Sequence, residues 1–125
     1  MSFRRRFFIL LWLFYFFSIL YLSFANFSSE ESSMLVNIPY IDKIVHFLMY
    51  FLLSLFGMTY LYYNRSSKKY KLSYLGIVIF IGIIIEFIQP YFGRGFEVLD
   101  MFADVFGAVI AWAFISFFSR LIKKS

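Results

Sequence analysis

Four continuous apolar stretches run along the chain, separated by short polar segments. They cover about residues 7–24, 44–63, 72–89 and 101–122, and each is close to the roughly 20 residues that a helix needs to cross a bilayer. The apolar runs do not alternate with polar residues as half-buried strands do, and open sheet edges cannot lie in lipid. The pattern predicts an all-α membrane protein, a bundle of about four transmembrane helices, in a single domain over residues 1–125.

Composition supports the membrane class. Of the 125 residues, 62% are hydrophobic and only 15% are charged, which is too little polar surface for a soluble domain of this size. Because the chain has no cysteine, disulfides, thiolate nucleophiles and cysteine-ligated zinc are excluded. Aromatic residues with a polar tip are predicted at or near the span ends, as anchors at the membrane interface or for packing against lipid: Trp12, Tyr15, Tyr21, Tyr60, Tyr62 and Tyr63.

Positive charges gather on one side of the predicted bundle. If the four spans alternate in direction, ten of the twelve Lys and Arg residues fall at the termini or in the 64–71 loop, and only Lys43 and Arg94 fall opposite. Such an excess marks the cytoplasmic side, so we expect a multi-pass plasma-membrane protein with both termini in the cytoplasm. Topology and contact with anionic lipid then explain the net charge of +5, and no nucleic-acid partner is expected.

The first apolar stretch also has features of a signal peptide. It follows Arg4, Arg5 and Arg6 and ends in Ser23-Phe24-Ala25, which resembles a cleavage site. Its apolar run of about 18 residues is long for a signal peptide. A retained helix is therefore favoured.

Polar residues at the start of the second span form one helical stripe. In Asp42-Lys43-x-x-His46-Phe47-x-x-Tyr50, Asp42, His46 and Tyr50 are four residues apart and share a face. Asp42 can also cap the helix N-terminus. His46 has two open interpretations, a hydrogen bond to a neighbouring helix or ligation of a metal.

Near the end of the third span, Glu86-x-x-Gln89-Pro90 puts a carboxylate and an amide on adjacent turns. Pro90 is predicted to end the helix because it lacks a backbone N–H. A glutamate inside an apolar run is costly when it faces lipid, so Glu86 is expected to face a partner or a polar cavity. A single interhelical salt bridge or hydrogen bond is the simpler interpretation.

The last outer loop and the fourth span carry the third polar group. Asp100 and Asp104 share a helical face, and Arg94 is either their countercharge or a solvated loop residue. Small residues continue near the same face and allow close helix approach: Gly107, Ala108 and Ala111.

Taken together, these motifs resemble the VanZ-like family of small integral membrane proteins, over about residues 40–112. The family often has Asn where this chain has Asp104, and a glycine where it has Ala111. The resemblance implies a four-helix membrane domain linked to the cell envelope. The name-giving member is associated with resistance to glycopeptide antibiotics of the teicoplanin type, but the resemblance implies neither a settled reaction nor a known ligand.

The leading hypothesis is a polar pocket that faces outward and binds a lipid headgroup or a lipid-linked envelope precursor. Membrane lipids are the other expected partners. Cations and the imidazole would contact phosphate or carboxylate, and the acids and amide would orient them. The predicted ligand-binding residues are Lys43, His46, Tyr50, Glu86, Gln89, Arg94, Asp100 and Asp104.

An enzyme at the membrane interface is the alternative. In acyl or phosphoryl transfer, His46 together with Asp42 would act as the general base. Glu86 would be the acid, and Arg94 would stabilise the anion. However, the sequence contains no nucleophile elbow, P-loop or zinc-protease signature. A metal site is a further alternative with enough nitrogen and oxygen ligands, namely His46, Asp42, Glu86, Asp100 and Asp104. These ligands have no diagnostic spacing, so no metal and no cofactor are predicted. Ion transport is disfavoured because the charges within the spans lie at the outer end.

Overall fold

Helices make up nearly all of the protein that the structure describes. The computed structural model describes residues 2–24, 41–93 and 98–124, without the side chains of residues 41–42 and 122–124. Four α-helices follow in chain order, with one 3-10 turn before the last: α1 Phe3–Phe24, α2 Ile41–Tyr63, α3 Lys68–Ile88, the turn Gln89–Phe92, and α4 Val98–Lys124. All four α-helices are long and apolar enough to cross a membrane, and the described ranges contain no strand. The predicted all-α bundle is confirmed.

The helices extend beyond the apolar stretches that predicted them. α1 begins at Phe3 and α2 at Ile41, each a few residues before the hydrophobic run starts, because apolar composition marks only the part of a helix that lies in hydrocarbon. Asp42 therefore lies in the first turn of α2. α3 ends at Ile88, and Pro90 lies in the following 3-10 turn, which Gly93 closes with a φ of 82°.

The closest helix pair is α2 with α4, and small residues on α4 permit the contact. A Cβ atom on Gly107 would collide with the backbone oxygen of Phe47 and lie 3.0 Å from the backbone nitrogen of Phe51. The hydroxyl of Ser54 donates a hydrogen bond to the carbonyl of Ala108 at 2.9 Å, and Ala111 is also fully buried. This confirms the predicted role of the small residues, which let two backbones approach closely.

Aromatic side chains attach α1 to the rest of the bundle. The indole of Trp12 donates to the hydroxyl of Tyr74 at 2.9 Å, which in turn donates to the carbonyl of Leu53. The hydroxyl of Tyr15 donates to the carbonyl of Met49 at 2.9 Å. The prediction that Trp12 and Tyr15 lie near span ends is wrong, because both lie in the middle of α1. Their polar tips bind groups of neighbouring helices instead of interfacial water.

The close contact between α2 and α4 can be tested by replacing glycine with alanine inside it and outside it. Gly107→Ala should lower the free energy of unfolding by about 1–3 kcal/mol, the usual cost of overpacking, because its Cβ meets rigid backbone. Gly76→Ala is the control, since a Cβ at Gly76 meets nothing within 4 Å and alanine favours a helix. Thermal denaturation in detergent, followed by size-exclusion chromatography, measures both. Equal stability of the two variants would contradict the assigned interface.

Candidate functional site

Polar side chains from three helices meet at one end of the bundle, where α2 and α4 begin and α3 ends. His46 is 7% exposed, Asp104 is 2% exposed and Glu86 is 0% exposed. The ring nitrogen Nδ1 of His46 lies 2.9 Å from Oδ1 of Asp104. One nitrogen or oxygen from each of the three side chains lies within 4.8 Å of the others. Residues that are 40 or more positions apart from His46 therefore share one buried cluster with it, which we call the three-helix cluster.

A second carboxylate lies on the other side of the imidazole. Oδ2 of Asp100 lies 3.7 Å from Nε2 of His46, and Oδ1 of Asp100 lies 3.5 Å from the ammonium nitrogen of Lys43. Since His46 contacts both aspartates, Asp100 and Asp104 share a helical face, as their spacing predicts. The side chain of Lys43 is 21% exposed, so a chain of charged groups runs from the surface to the three-helix cluster.

Tyr50 lies one turn below His46 on the same stripe and is fully buried. Its ring packs beside Asp104 against Gly82 of α3, where an added Cβ would lie 3.1 Å from Oδ2 of Asp104 and 3.3 Å from Cε1 of Tyr50. Gly82 was not singled out from the sequence, although it lies four residues before Glu86 and hence on the same face. Its missing side chain makes the room that the aspartate and the tyrosine occupy.

Gln89, another predicted site residue, is buried as expected. Its amide nitrogen donates to the backbone carbonyl of Ser23 at 3.0 Å, so it joins the end of α3 to the end of α1. Gln89 therefore has a structural role beside the site, since it holds α1 against α3. The sequence pattern assigned no such contact to Ser23, which was notable only as part of a cleavage-like motif.

Two predicted participants lie outside the described residues, namely Arg94 and the side chain of Asp42. The countercharge role of Arg94 and the pairing of Asp42 with His46 therefore stay predictions. The carboxylate that hydrogen-bonds His46 among the described side chains is that of Asp104. An imidazole flanked by carboxylates can be oriented by them, exchange a proton with them, or join them in holding a cation.

The opposite end of the bundle is basic. A cavity of about 480 Å³ there is lined by Lys68, Lys71 and Arg120 together with hydroxyl groups. The ammonium of Lys71 lies 3.7 Å from the centre of the Tyr62 ring, and the Tyr62 hydroxyl hydrogen-bonds that of Ser116 at 2.6 Å. The two ends of the bundle thus differ in chemistry, as the distribution of charges along the chain predicts.

Comparison with known proteins assigns the chain to a family. No curated protein and no solved structure matches it. The family model described as VanZ/LLP1 matches residues 2–119, a range that contains every residue of the three-helix cluster. The resemblance found in the motifs of the second, third and fourth spans is thereby confirmed, and the chain belongs to the VanZ/LLP1 family.

Proposed function

We propose that this VanZ/LLP1 protein lies in the plasma membrane with its termini in the cytoplasm. Its polar site then faces outward, where it binds the anionic headgroup of a lipid or a lipid-linked envelope precursor. Binding there alters sensitivity to glycopeptide antibiotics of the teicoplanin type. The observation that supports this function is the buried polar cluster at the end of the bundle opposite the basic cavity.

Burial makes the polar cluster energetically costly. Ionisable side chains inside a membrane protein cost several kcal/mol unless they are paired or hydrated, and they usually mark functional sites. A bundle that needed only stability would be served as well by apolar residues of similar volume at these positions. His46, Glu86 and Asp104 are nevertheless all buried, which favours a task beyond holding the helices together.

Lys43 gives the site its affinity for anions. Its ammonium group is partly exposed and lies 3.5 Å from Asp100, a distance at which an ion pair is loose. A phosphate or carboxylate from the ligand can replace Asp100 as the partner of Lys43. Because the surrounding helices are long and apolar enough to cross a membrane, a ligand with an acyl or isoprenoid tail has an apolar surface to lie against.

Topology provides the first test. Since the chain has no cysteine, single cysteines can be introduced without removing others. A membrane-impermeant maleimide added to intact cells should label Ser32→Cys, which follows Glu30 and Glu31 between the first two predicted spans, but should label Ser66→Cys only after permeabilisation. Labelling of Ser66→Cys in intact cells would place the 64–71 loop outside and refute the outward-facing site.

Anion binding provides the second test. We expect Lys43→Ala to weaken binding of a water-soluble, short-chain anionic phospholipid to the purified protein at least tenfold, as measured by calorimetry, because it removes a charge-assisted contact worth about 1.5–3 kcal/mol. Lys68→Ala, at the basic end, is the matched control and should bind as the wild type does. The same Lys43 variant should lose any rise in teicoplanin resistance that the wild-type protein confers on a sensitive host. If Lys68→Ala weakened phospholipid binding and Lys43→Ala did not, the anion site would lie at the basic end of the bundle, and the proposed site would be wrong.

The enzyme remains a second candidate because of one contact. The 2.9 Å hydrogen bond between His46 and Asp104 resembles the way in which a carboxylate orients a catalytic imidazole. Asp100 near the other ring nitrogen would have to give way to the substrate.

If the protein is an enzyme, His46→Gln should abolish release of product from a lipid phosphoester or acyl ester, followed by mass spectrometry. Ser54→Ala, which removes a buried hydrogen bond of the same helix pair, should retain turnover. Absence of product with the wild-type protein would leave the binding function and exclude catalysis on that substrate.

A further inference from the structure

We propose that His46, Glu86 and Asp104 bind one divalent transition-metal ion between α2, α3 and α4. This inference goes beyond the binding of an envelope ligand and does not depend on it, because metal binding is measured without any lipid ligand. It also differs from the sequence-based expectation of no metal, which rested on the lack of a diagnostic spacing within one segment.

The donor set is the first support. One imidazole and two carboxylates come from three different helices, and their ligating atoms lie within 4.8 Å of one another. Nitrogen and oxygen donors of this kind suit Zn²⁺ or Mn²⁺. Three protein ligands also leave a coordination position open, as in metal sites that bind an exchangeable molecule.

Small side-chain movements bring these atoms to coordination distance. With metal–ligand distances of about 2.1 Å, two atoms on one tetrahedral ion are about 3.4 Å apart. The His46 and Asp104 atoms that now lie 2.9 Å apart would separate slightly, and the widest pair would close by about 1.4 Å at most, given the 4.8 Å limit. Rotation of the Glu86 side chain, which has three χ angles, can supply much of this closure.

The surroundings of His46 match those of a metal-binding histidine. Such residues nearly always direct their second ring nitrogen to a carboxylate, a backbone carbonyl or a water molecule, which fixes the ring orientation. Here Nδ1 faces Asp104 at 2.9 Å, and Nε2 faces Asp100 at 3.7 Å. Asp100 is itself held by Lys43 at 3.5 Å. Asp100 therefore occupies the place of an orienting carboxylate and is not needed as a ligand.

Tyr50 provides an independent indication that this cluster binds a ligand. It is 1% exposed, yet its hydroxyl has no hydrogen-bond partner among the described residues. The ring of Tyr50 and the side chain of Asp104 both lie within 3.3 Å of the position that a Cβ on Gly82 would take, which places the phenol beside the three-helix cluster. A buried polar group without a partner costs free energy, and a metal ion or its bound water would satisfy this hydroxyl.

Metal titration of the purified, full-length protein tests the proposal. The protein carries an affinity tag without histidine, is stripped with a chelator in nanodiscs, and is titrated with Zn²⁺ and Mn²⁺. We expect one ion per chain, and at least 100-fold weaker binding for His46→Ala, Glu86→Gln and Asp104→Asn. Ser54→Ala, which removes a buried hydrogen bond of α2 to α4 at 2.9 Å, is the control and should bind as the wild type does.

A spectroscopic measurement on the wild-type protein tests metal binding even where a variant fails to fold. Because His46 is the only histidine in the chain, pulsed electron paramagnetic resonance of bound Mn²⁺ on protein labelled with ¹⁵N-histidine should show coupling to one imidazole nitrogen. Lack of stoichiometric binding by the wild-type protein, lack of imidazole coupling, or an equal loss of binding in Ser54→Ala would each overturn the proposal.

Discussion

Inside hydrocarbon, a polar group must find its partner within the protein, and this constraint organises the whole bundle. The clearest example is the 2.9 Å hydrogen bond between the buried side chains of His46 and Asp104, which joins α2 to α4. The hydroxyls of Ser54 and Tyr15 obey the same rule by donating to carbonyls of neighbouring helices. Each helix is therefore positioned by a few directional contacts, since apolar side chains gain little by leaving lipid for protein.

The polar contacts depend on how closely the helices approach. Gly107 leaves no room for a Cβ against the backbone of Phe47, so any larger residue would push α2 and α4 apart. Gly82 has the same function for α3, where an added Cβ would lie 3.0 Å from the Cβ of Asp104. The small residues thus set the distance at which an imidazole can reach a carboxylate. Gly82 and Gly107 therefore determine both how the helices pack and which side chains of the site can meet.

Much of this arrangement could be predicted from the sequence, because periodicity within one helix decides which residues share a face. The spans, the stripe of His46 and Tyr50, and the shared face of Asp100 and Asp104 all followed from spacing. The choice of partner across helices did not follow. Spacing carries no information on the register between helices, so nothing in the sequence singled out Asp104 as the acid that hydrogen-bonds His46. For the same reason, Trp12 was assigned to the interface although it binds Tyr74.

The connection from Lys43 through Asp100 to His46 links the surface of the proposed site to its interior. The carboxylate of Asp100 lies 3.5 Å from the ammonium of Lys43 and 3.7 Å from the imidazole of His46, so it interacts with both groups. An anion that takes over Lys43 would weaken the ion pair of Lys43 with Asp100 and strengthen the interaction of Asp100 with the imidazole of His46. A metal ion bound through Nδ1 of His46 would favour the same contact, because the imidazole of a metal-bound histidine is held by a partner at its second ring nitrogen. Anion binding at the mouth and cation binding in the three-helix cluster would therefore reinforce each other through one carboxylate.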